Sequence, residues 1–166
     1  MKRLFTIGYE RAAISDLVAT LREVGVEALI DVRDLPVSRK RGFSKRALAQ
    51  RLEEVGIRYM HLRDLGDPKP GREAARRGDF EQFEKIFRDH LDRGESQHAL
   101  RCAVEVACIY VSCLLCFERA HECCHRAIVA EAMRVRQDFD VKHIGVRKAV
   151  GVAGCRDPQF RECAIG

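Results

Sequence analysis

The sequence predicts one α/β domain in three layers, with a mainly parallel sheet of about five strands and helices on both of its faces. The 166 residues suffice for one domain, and the 46% apolar content allows a sizeable core. Short apolar runs alternate along the chain with segments of helical periodicity, a pattern typical of βαβ units. Crossovers between such strands are right-handed and leave the strands parallel.

The first part of the chain predicts alternating strands and helices. Gly25 and Gly56 are placed to end two helices, and Ser44 is placed to begin the second one. The glycine and proline residues of segment 66–71 predict an irregular excursion that suggests a lid. The predicted elements are strands at 4–7, 26–32 and 57–62, and helices at 15–24 and 44–55.

Helical periodicity returns in the second part of the chain, before and between two further strands. No glycine or proline lies near Cys108, so the sequence does not specify where this helix ends and the next strand begins. The α/β domain is predicted to span residues 1–144, followed by an irregular tail at 145–166. The predicted elements are helices at 79–91, 96–108 and 124–135, and strands at 109–115 and 139–144.

Composition restricts the class of protein. No apolar run reaches the roughly 18 residues of a membrane span, and the N-terminus lacks the apolar region of a signal peptide. We therefore expect a cytoplasmic protein without a membrane partner. Six of the eight cysteines lie between Cys102 and Cys124, and reduced thiols are the expectation for a chain without an export signal.

Reactive side chains follow four of the predicted strands. In an open α/β sheet, ligands bind at the carboxyl ends of the strands, so we expect these residues to lie together. Ser38 and Arg39 follow in a loop and would complete an anion cradle. The strand-end residues are Tyr9 and Glu10, Asp31 and Arg33, His61, and then Cys116, Glu118, Cys124, His125 and Arg126.

Cys124 is the best candidate for an activated sulfur. It stands at the start of a predicted helix, where free amide groups and the helix dipole favour a thiolate, and a neighbouring imidazolium or guanidinium favours it further. The leading hypothesis is a thiol-dependent enzyme that acts on a phosphate- or carboxylate-bearing substrate. Its residues would be Cys124, Cys116 or both as thiolate, His125 or His61 as base beside Glu118, and Tyr9, Glu10, Asp31, Arg33, Ser38, Arg39 and Arg126 around the substrate.

Two alternatives concern the same residues. Cys116, Cys124 and His125, with Cys123 or His121 in support, could hold a metal ion or a haem-type cofactor, since their types suit zinc or another metal that tolerates soft ligands. The chain lacks the two Cys-x-x-Cys motifs that a structural zinc site combines. Alternatively the helix start is purely structural, with Cys124 packed and Arg126 paired to a carboxylate. Asp31 and Arg33 could likewise form an internal ion pair that fixes the following loop.

A basic stretch supports a third alternative. Between Arg33 and Arg63 there are nine Lys or Arg residues against three Asp or Glu residues. This density could bind an anionic small molecule or a nucleic-acid backbone, or could be a solvated helix face. The sequence contains neither a P-loop nor a Gly-x-Gly-x-x-Gly fingerprint, so no cofactor is specified.

Short motifs follow one another in order along most of the chain. They are Thr6-Ile-Gly-Tyr-Glu10, Asp31-Val-Arg33, Pro36-Val-Ser-Arg39, Gly42-Phe-Ser44, Tyr59-Met-His-Leu62, Leu65-Gly66, Cys116-Phe-Glu118 and Cys124-His-Arg126. In this order they resemble one family, the bacterial and archaeal domain of unknown function family 488. The resemblance implies a compact α/β domain and no particular activity. Arg11, Asp67 and His121 depart from residues that are frequent in its members.

Overall fold

A computed structural model describes residues 1–148 and contains a five-stranded parallel sheet. The strand order is β3-β2-β4-β1-β5, and each neighbouring pair is parallel. The predicted fold class is thus confirmed. The strands are β1 (Lys2–Gly8), β2 (Ala28–Asp31), β3 (Arg58–His61), β4 (Ser112–Cys116) and β5 (Phe139–Gly145).

Helices connect the strands and cover both faces of the sheet. A 3-10 turn at Arg63–Leu65 follows β3. Gly25 and Gly56 have positive φ angles of 74° and 76°, the left-handed conformation expected where they end helices. The helices are α1 (Ile14–Glu23), α2 (Lys45–Glu53), α3 (Lys69–Arg76), α4 (Phe80–Leu91), α5 (Gly94–Ile109) and α6 (His125–Arg136).

The central strands alternate between two cores because successive side chains point to opposite faces of a sheet. Ile30 and Leu114 belong to the core covered by α3 to α6. Leu29 and Cys113 belong to the core covered by α1 and α2. Every residue of β2 and of β4 is buried, as expected for strands with helices on both sides.

The register places the carboxyl ends of the strands side by side. Gly8 of β1 is level with Cys116 of β4, and Asp31 of β2 is level with both Leu115 and His61. The edge that the sequence predicted as the site is therefore one continuous edge of the sheet.

Several predicted boundaries were wrong. Segment 66–71 was predicted to be irregular, but α3 begins at Lys69, and Pro70 is tolerated because a first-turn residue needs no amide hydrogen. Helix α5 continues to Ile109 and β4 begins only at Ser112, since no helix breaker separates them. Gly145 belongs to β5, and the predicted irregular tail lies outside the described residues from 149 onward. Within residues 1–148, none of the helices is both long and apolar enough to cross a membrane.

Candidate functional site

Two cysteines, a glutamate and a histidine form a cluster at the carboxyl edge of the sheet. Cys116 is the last residue of β4, Cys124 is the N-cap of α6, and His125 is the first residue of that helix. The Glu118 Oε2 atom lies 2.8 Å from the Cys116 Sγ and 3.3 Å from the Cys124 Sγ. The His125 Nδ1 atom lies 3.7 Å and 3.9 Å from the same two sulfurs. Cys116, Cys124 and His125 are buried, whereas Glu118 is partly exposed.

The backbone carbonyl of Val32 orients the imidazole of His125. The His125 Nε2 atom lies 2.8 Å from this oxygen. A carbonyl can only accept a hydrogen bond, so Nε2 carries the proton and donates it. The Nδ1 atom therefore faces the two sulfurs, either as a lone pair available to a metal or as the second N–H of an imidazolium.

Arg126 holds the loop that carries Glu118. Its side chain is 1% exposed and donates hydrogen bonds to the backbone carbonyls of Glu118 and Arg119 and to the Thr6 hydroxyl. Gly8 passes close to the same loop, because a Cβ built there would lie 1.8 Å from the Glu118 carbonyl oxygen. The buried guanidinium thus fixes the backbone of the loop that carries Glu118 and lines neither of the cavities beside the cluster.

Burial and nearby charges shift the pKa values of the two thiols in opposite directions. Burial opposes ionisation of Cys124, but the hydrogen bond from Cys116 and the charge of His125 hold the pKa of Cys124 well below its ordinary value. Burial, and then Cys124, raise the pKa of Cys116 well above its ordinary value. Although burial lowers the pKa of His125, the Cys124 thiolate raises it to about 9. The metal-free cluster therefore favours a Cys124 thiolate beside a His125 imidazolium.

Glu118 is difficult to ionise in the same cluster. Burial first, and then the charge of Cys124, raise the pKa of its carboxyl. Three acidic groups thus share one buried volume with a single imidazole. Such a set is unfavourable when fully ionised unless a cation lies among its members.

The cluster has the donor set of a metal site. One ligand atom each from Cys116, Glu118, Cys124 and His125 lies within 4.8 Å of every other. Thiolate and imidazole ligands suit zinc and other first-row transition metals, and a carboxylate commonly accompanies them. Glu118 completes a set of which the sequence-based metal hypothesis named only the other three.

A second network beside the cluster is an internal ion pair. The Arg33 Nε and Nη2 atoms lie 2.8 Å and 2.6 Å from the two carboxylate oxygens of Asp31. Asp31 is 0% exposed and also accepts a hydrogen bond of 2.6 Å from the Tyr59 hydroxyl. The Arg33 Nη1 atom donates to Tyr9 Oη and to the Phe43 carbonyl. This network fixes the loop after β2, as the ion-pair alternative proposed.

Two cavities open beside the cluster. The first, of about 520 Å³, reaches Cys116, Glu118 and His125 and extends along the loop that contains Ser38 and Arg39. The second, of about 370 Å³, reaches Cys124, Glu118 and His125 from the other side. Residues that line both are Asp67, Arg72, Arg76, Phe117, Glu118 and His125.

Asp67 and the arginines of α3 are site residues that the sequence analysis missed. Asp67 is 7% exposed, and its Oδ1 atom has no hydrogen-bond partner within residues 1–148. Burial raises the pKa of Asp67 to about 6 against the opposing charges of His125 and Arg72. The only sequence signal was that Asp67 departs from the glycine frequent in similar proteins. Arg72 and Arg76 had no signal, because they follow the predicted irregular excursion at 66–71 and no helix or strand was predicted before residue 79.

Other predicted residues have structural partners near the site. The His61 Nε2 atom lies 2.7 Å from the Arg33 carbonyl, and His61 lines neither cavity. Glu10 lines the second cavity and accepts a hydrogen bond of 3.2 Å from the Arg119 amide. Ser38 lines the first cavity, and its hydroxyl accepts a hydrogen bond of 3.1 Å from the Lys40 amide.

Comparison with known proteins gives a family but no individual relative. No curated protein and no solved structure matches the chain. A family model described as "Domain of unknown function DUF488" matches residues 13–133, which include the whole Cys-Glu-Cys-His cluster. The resemblance carried by the sequence motifs is confirmed. The chain belongs to the DUF488 family.

Proposed function

We propose that this protein binds one transition-metal ion through Cys116, Glu118, Cys124 and His125, and that the metal centre acts on an anionic small molecule. The proposal depends on one observation above all: four metal-ligating side chains of three types converge within 4.8 Å. Three of the four residues are buried and the fourth, Glu118, is partly buried, so the cluster is not a group of exposed surface charges.

The interatomic distances support a single ion between the four side chains. Zinc bonds of about 2.0–2.3 Å place neighbouring ligands about 3.3–3.8 Å apart in a tetrahedron. Four of the six distances between ligand atoms range from 2.8 to 3.9 Å, and none of the six exceeds 4.8 Å. Only small side-chain shifts are needed to accommodate an ion, and the Val32 carbonyl already fixes the tautomer that leaves Nδ1 free to coordinate.

The charge of the cluster supports a cation as well. Burial raises the pKa values of Cys116 and Glu118, so both groups resist ionisation in metal-free protein. A divalent cation would offset the negative charge of two thiolates and a carboxylate, and binding would release the protons of Cys116, Glu118 and the His125 imidazolium. Metal affinity should therefore increase with pH.

Access from the cavities supports a reactive centre instead of a closed structural one. Structural zinc sites are enclosed by four protein ligands, whereas catalytic sites keep one position for water or substrate. Here Cys116, Glu118 and His125 line the first cavity. Cys116, Cys124 and His125 would be the permanent ligands, and Glu118 would occupy the fourth position until a substrate displaces it. The metal would then act as a Lewis acid on the bound anionic group.

Cobalt titration of metal-free protein tests this proposal. We expect one Co²⁺ per chain, with the thiolate-to-cobalt absorption that sulfur ligands produce. Cys116→Ser and Cys124→Ser should each weaken binding at least 10-fold and reduce this absorption, whereas Cys102→Ser, a control on α5 outside both cavities, should change neither. Failure of the unaltered protein to bind stoichiometric Co²⁺ or Zn²⁺ would rule the proposal out. A haem bound by the same residues would instead give a Soret band.

A thiol-dependent enzyme is the second candidate, favoured by the Cys124–His125 pair. The pKa of Cys124 is held well below its ordinary value, while its neighbour Cys116 remains a thiol that donates to it. In metal-free protein, Cys124 should be alkylated at a pH well below the roughly 8.5 of a free cysteine. Mass spectrometry would measure the modified fraction of each cysteine. Alkylation of Cys124 only above that pH would exclude an activated thiolate.

Nucleic-acid binding stays a prediction from charge density. Several members of the basic stretch have local partners: Arg51 pairs with Glu54, and Arg58 lies over the ring of Tyr110. Binding to DNA or RNA that did not weaken as salt increased would contradict the electrostatic account.

A further inference from the structure

We infer that the two cavities form one binding site for an amphiphilic acid, a molecule with a phosphate or carboxylate at one end and an apolar body at the other. The inference rests on the proposed function, because it assigns a substrate class to the proposed metal centre. It depends on two uncompensated arginines, of which Arg39 lines the first cavity alone and Arg76 lines both, and on Phe80 and Phe83, which line the second cavity alone.

The first cavity provides uncompensated positive charge. Four arginines line it, and two of them are neutralised: Arg33 by Asp31, and Arg72 by Asp34 at 2.7 Å. Arg39 and Arg76 have no acidic partner among the residues that the structure describes. Guanidinium groups bind phosphate and carboxylate in a bidentate manner, so these two are available to an anionic ligand.

The second cavity provides an apolar wall. Phe80, Phe83 and Phe117 line it together with Ala75. The rings of Phe80 and Phe117 remain 45% and 47% exposed. An apolar ligand body that covered them would be favoured by about 25 cal/mol for each Å² removed from water. Exposed aromatic rings that share one concave wall are typical of ligand sites.

The metal cluster lies where the two cavities meet. Glu118 and His125 line both, as do Arg76 and Asp67. A ligand with its anionic group in the first cavity and its body in the second would therefore pass over the cluster.

Calorimetric titration of the metal-loaded protein with three probes tests the inference. Inorganic phosphate represents the anionic end, benzyl alcohol represents the body, and phenyl phosphate combines both. We expect phenyl phosphate to bind at least 10-fold more tightly than inorganic phosphate, and benzyl alcohol to bind more weakly than either. Equal affinities for phosphate and phenyl phosphate would refute the apolar half of the site.

Two variants with matched controls assign the halves to residues. Arg76→Gln should weaken phosphate and phenyl phosphate binding alike by at least 5-fold, whereas Arg77→Gln, the next residue along and outside both cavities, should have no effect. Phe80→Ala should reduce phenyl phosphate affinity toward that of phosphate and leave phosphate affinity unchanged. Val135→Ala, an exposed apolar control on α6, should alter neither. Identical behaviour of Arg76→Gln and Arg77→Gln would overturn the inference.

Metal analysis of each sample separates this inference from the proposed function. Stoichiometric metal without selective binding of phenyl phosphate would refute the amphiphilic site and leave the metal centre intact. Selective binding by protein that takes up no metal would refute the metal centre instead.

Discussion

Gly8→Ala should damage the proposed metal centre through the backbone alone. Gly8 ends β1, and the loop after β4 crosses directly over it. A methyl group at this position would lie 1.8 Å from the Glu118 carbonyl oxygen and 2.5 Å from its carbonyl carbon. Both neighbours are backbone atoms, so no flexible side chain can move aside to relieve the clash.

The size of the required shift follows from these distances. Real Cβ atoms essentially never lie closer than 3.0 Å to such atoms, so the Glu118 carbonyl must move by at least about 1.2 Å. That shift would weaken the hydrogen bond from Arg126 and draw the Glu118 carboxylate away from both sulfurs. We expect the free energy of unfolding to fall by about 1–3 kcal/mol, typical of overpacking. Metal affinity should fall by about 10- to 100-fold, typical of lost outer support for a ligand.

Gly145→Ala is the matched control for this substitution. Gly145 is level with Gly8 on the neighbouring strand β5, yet a Cβ there would meet nothing within 4 Å. Competition with a chromophoric chelator would measure Zn²⁺ affinity, and urea unfolding would measure stability. The control should change unfolding by no more than about 0.5 kcal/mol. If Gly8→Ala matched Gly145→Ala in both assays, the position assigned to Glu118 would be wrong.

Three further perturbations test the surroundings of the cluster. Asp31→Asn leaves the Arg33 guanidinium buried without its counter-ion, so urea unfolding should show a loss of about 3–5 kcal/mol, against about 1 kcal/mol for Tyr59→Phe. Burial raises the pKa of Asp67 to about 6 in the folded, metal-free protein, so between about pH 4 and pH 6 the folded state holds a proton that the unfolded state has lost. The free energy of unfolding should therefore fall as pH rises through this range, by at most about 3 kcal/mol. Asp67→Asn should remove this fall. Chelation should destabilise the loaded protein by about 4 kcal/mol relative to free metal at 1,000 times Kd, seen as a lower Tm.

Each of these three perturbations has an outcome that would contradict the structural reasoning behind it. A loss below about 1 kcal/mol in Asp31→Asn would show that the ion pair is not buried as described. A pH profile of Asp67→Asn that matched the unaltered protein would contradict the raised pKa of Asp67. A Tm that chelator leaves unchanged, in protein with measured bound metal, would show that binding is not linked to folding.

The sheet and the core of the site were predictable from local patterns. The alternation of apolar runs and helical segments specified the parallel sheet, and parallel strands share a carboxyl edge. Because Cys116, Glu118, Cys124 and His125 all follow the fourth strand or begin the next helix, this rule predicts their proximity, and their ligand atoms lie within 4.8 Å of one another. The glycine residues at 25 and 56 ended helices where they were expected to do so.

The roles of individual charged residues were not predictable in the same way. Arg33 and Arg39 lie in one short loop, but only the first is buried, and it belongs to an ion pair with Asp31. Arg126 follows His125 directly, yet it points beneath the loop and holds backbone carbonyls. These differences depend on which carboxylates and carbonyls the fold places around each guanidinium, and no short sequence pattern specifies those contacts.

The cavity wall formed by α3 was not predicted, because Pro68 and Pro70 indicate an irregular segment. Pro70 lies in the first turn, where no intrahelical amide is required, and α3 then carries Arg72 and Arg76 to the cluster. The contribution of Asp67 depends on its burial against Gly71, a contact that becomes visible only in three dimensions.

X-ray absorption spectroscopy of protein purified without chelator from zinc-supplemented culture tests the central claim most directly. We expect one zinc ion per chain, with two sulfur neighbours at about 2.3 Å and two nitrogen or oxygen neighbours at about 2.0–2.2 Å. Cys116→Ser should leave one sulfur neighbour, and Cys102→Ser should leave two. Protein that contains no stoichiometric metal, or zinc whose neighbours include no sulfur, would contradict a metal centre at the Cys116, Glu118, Cys124 and His125 cluster.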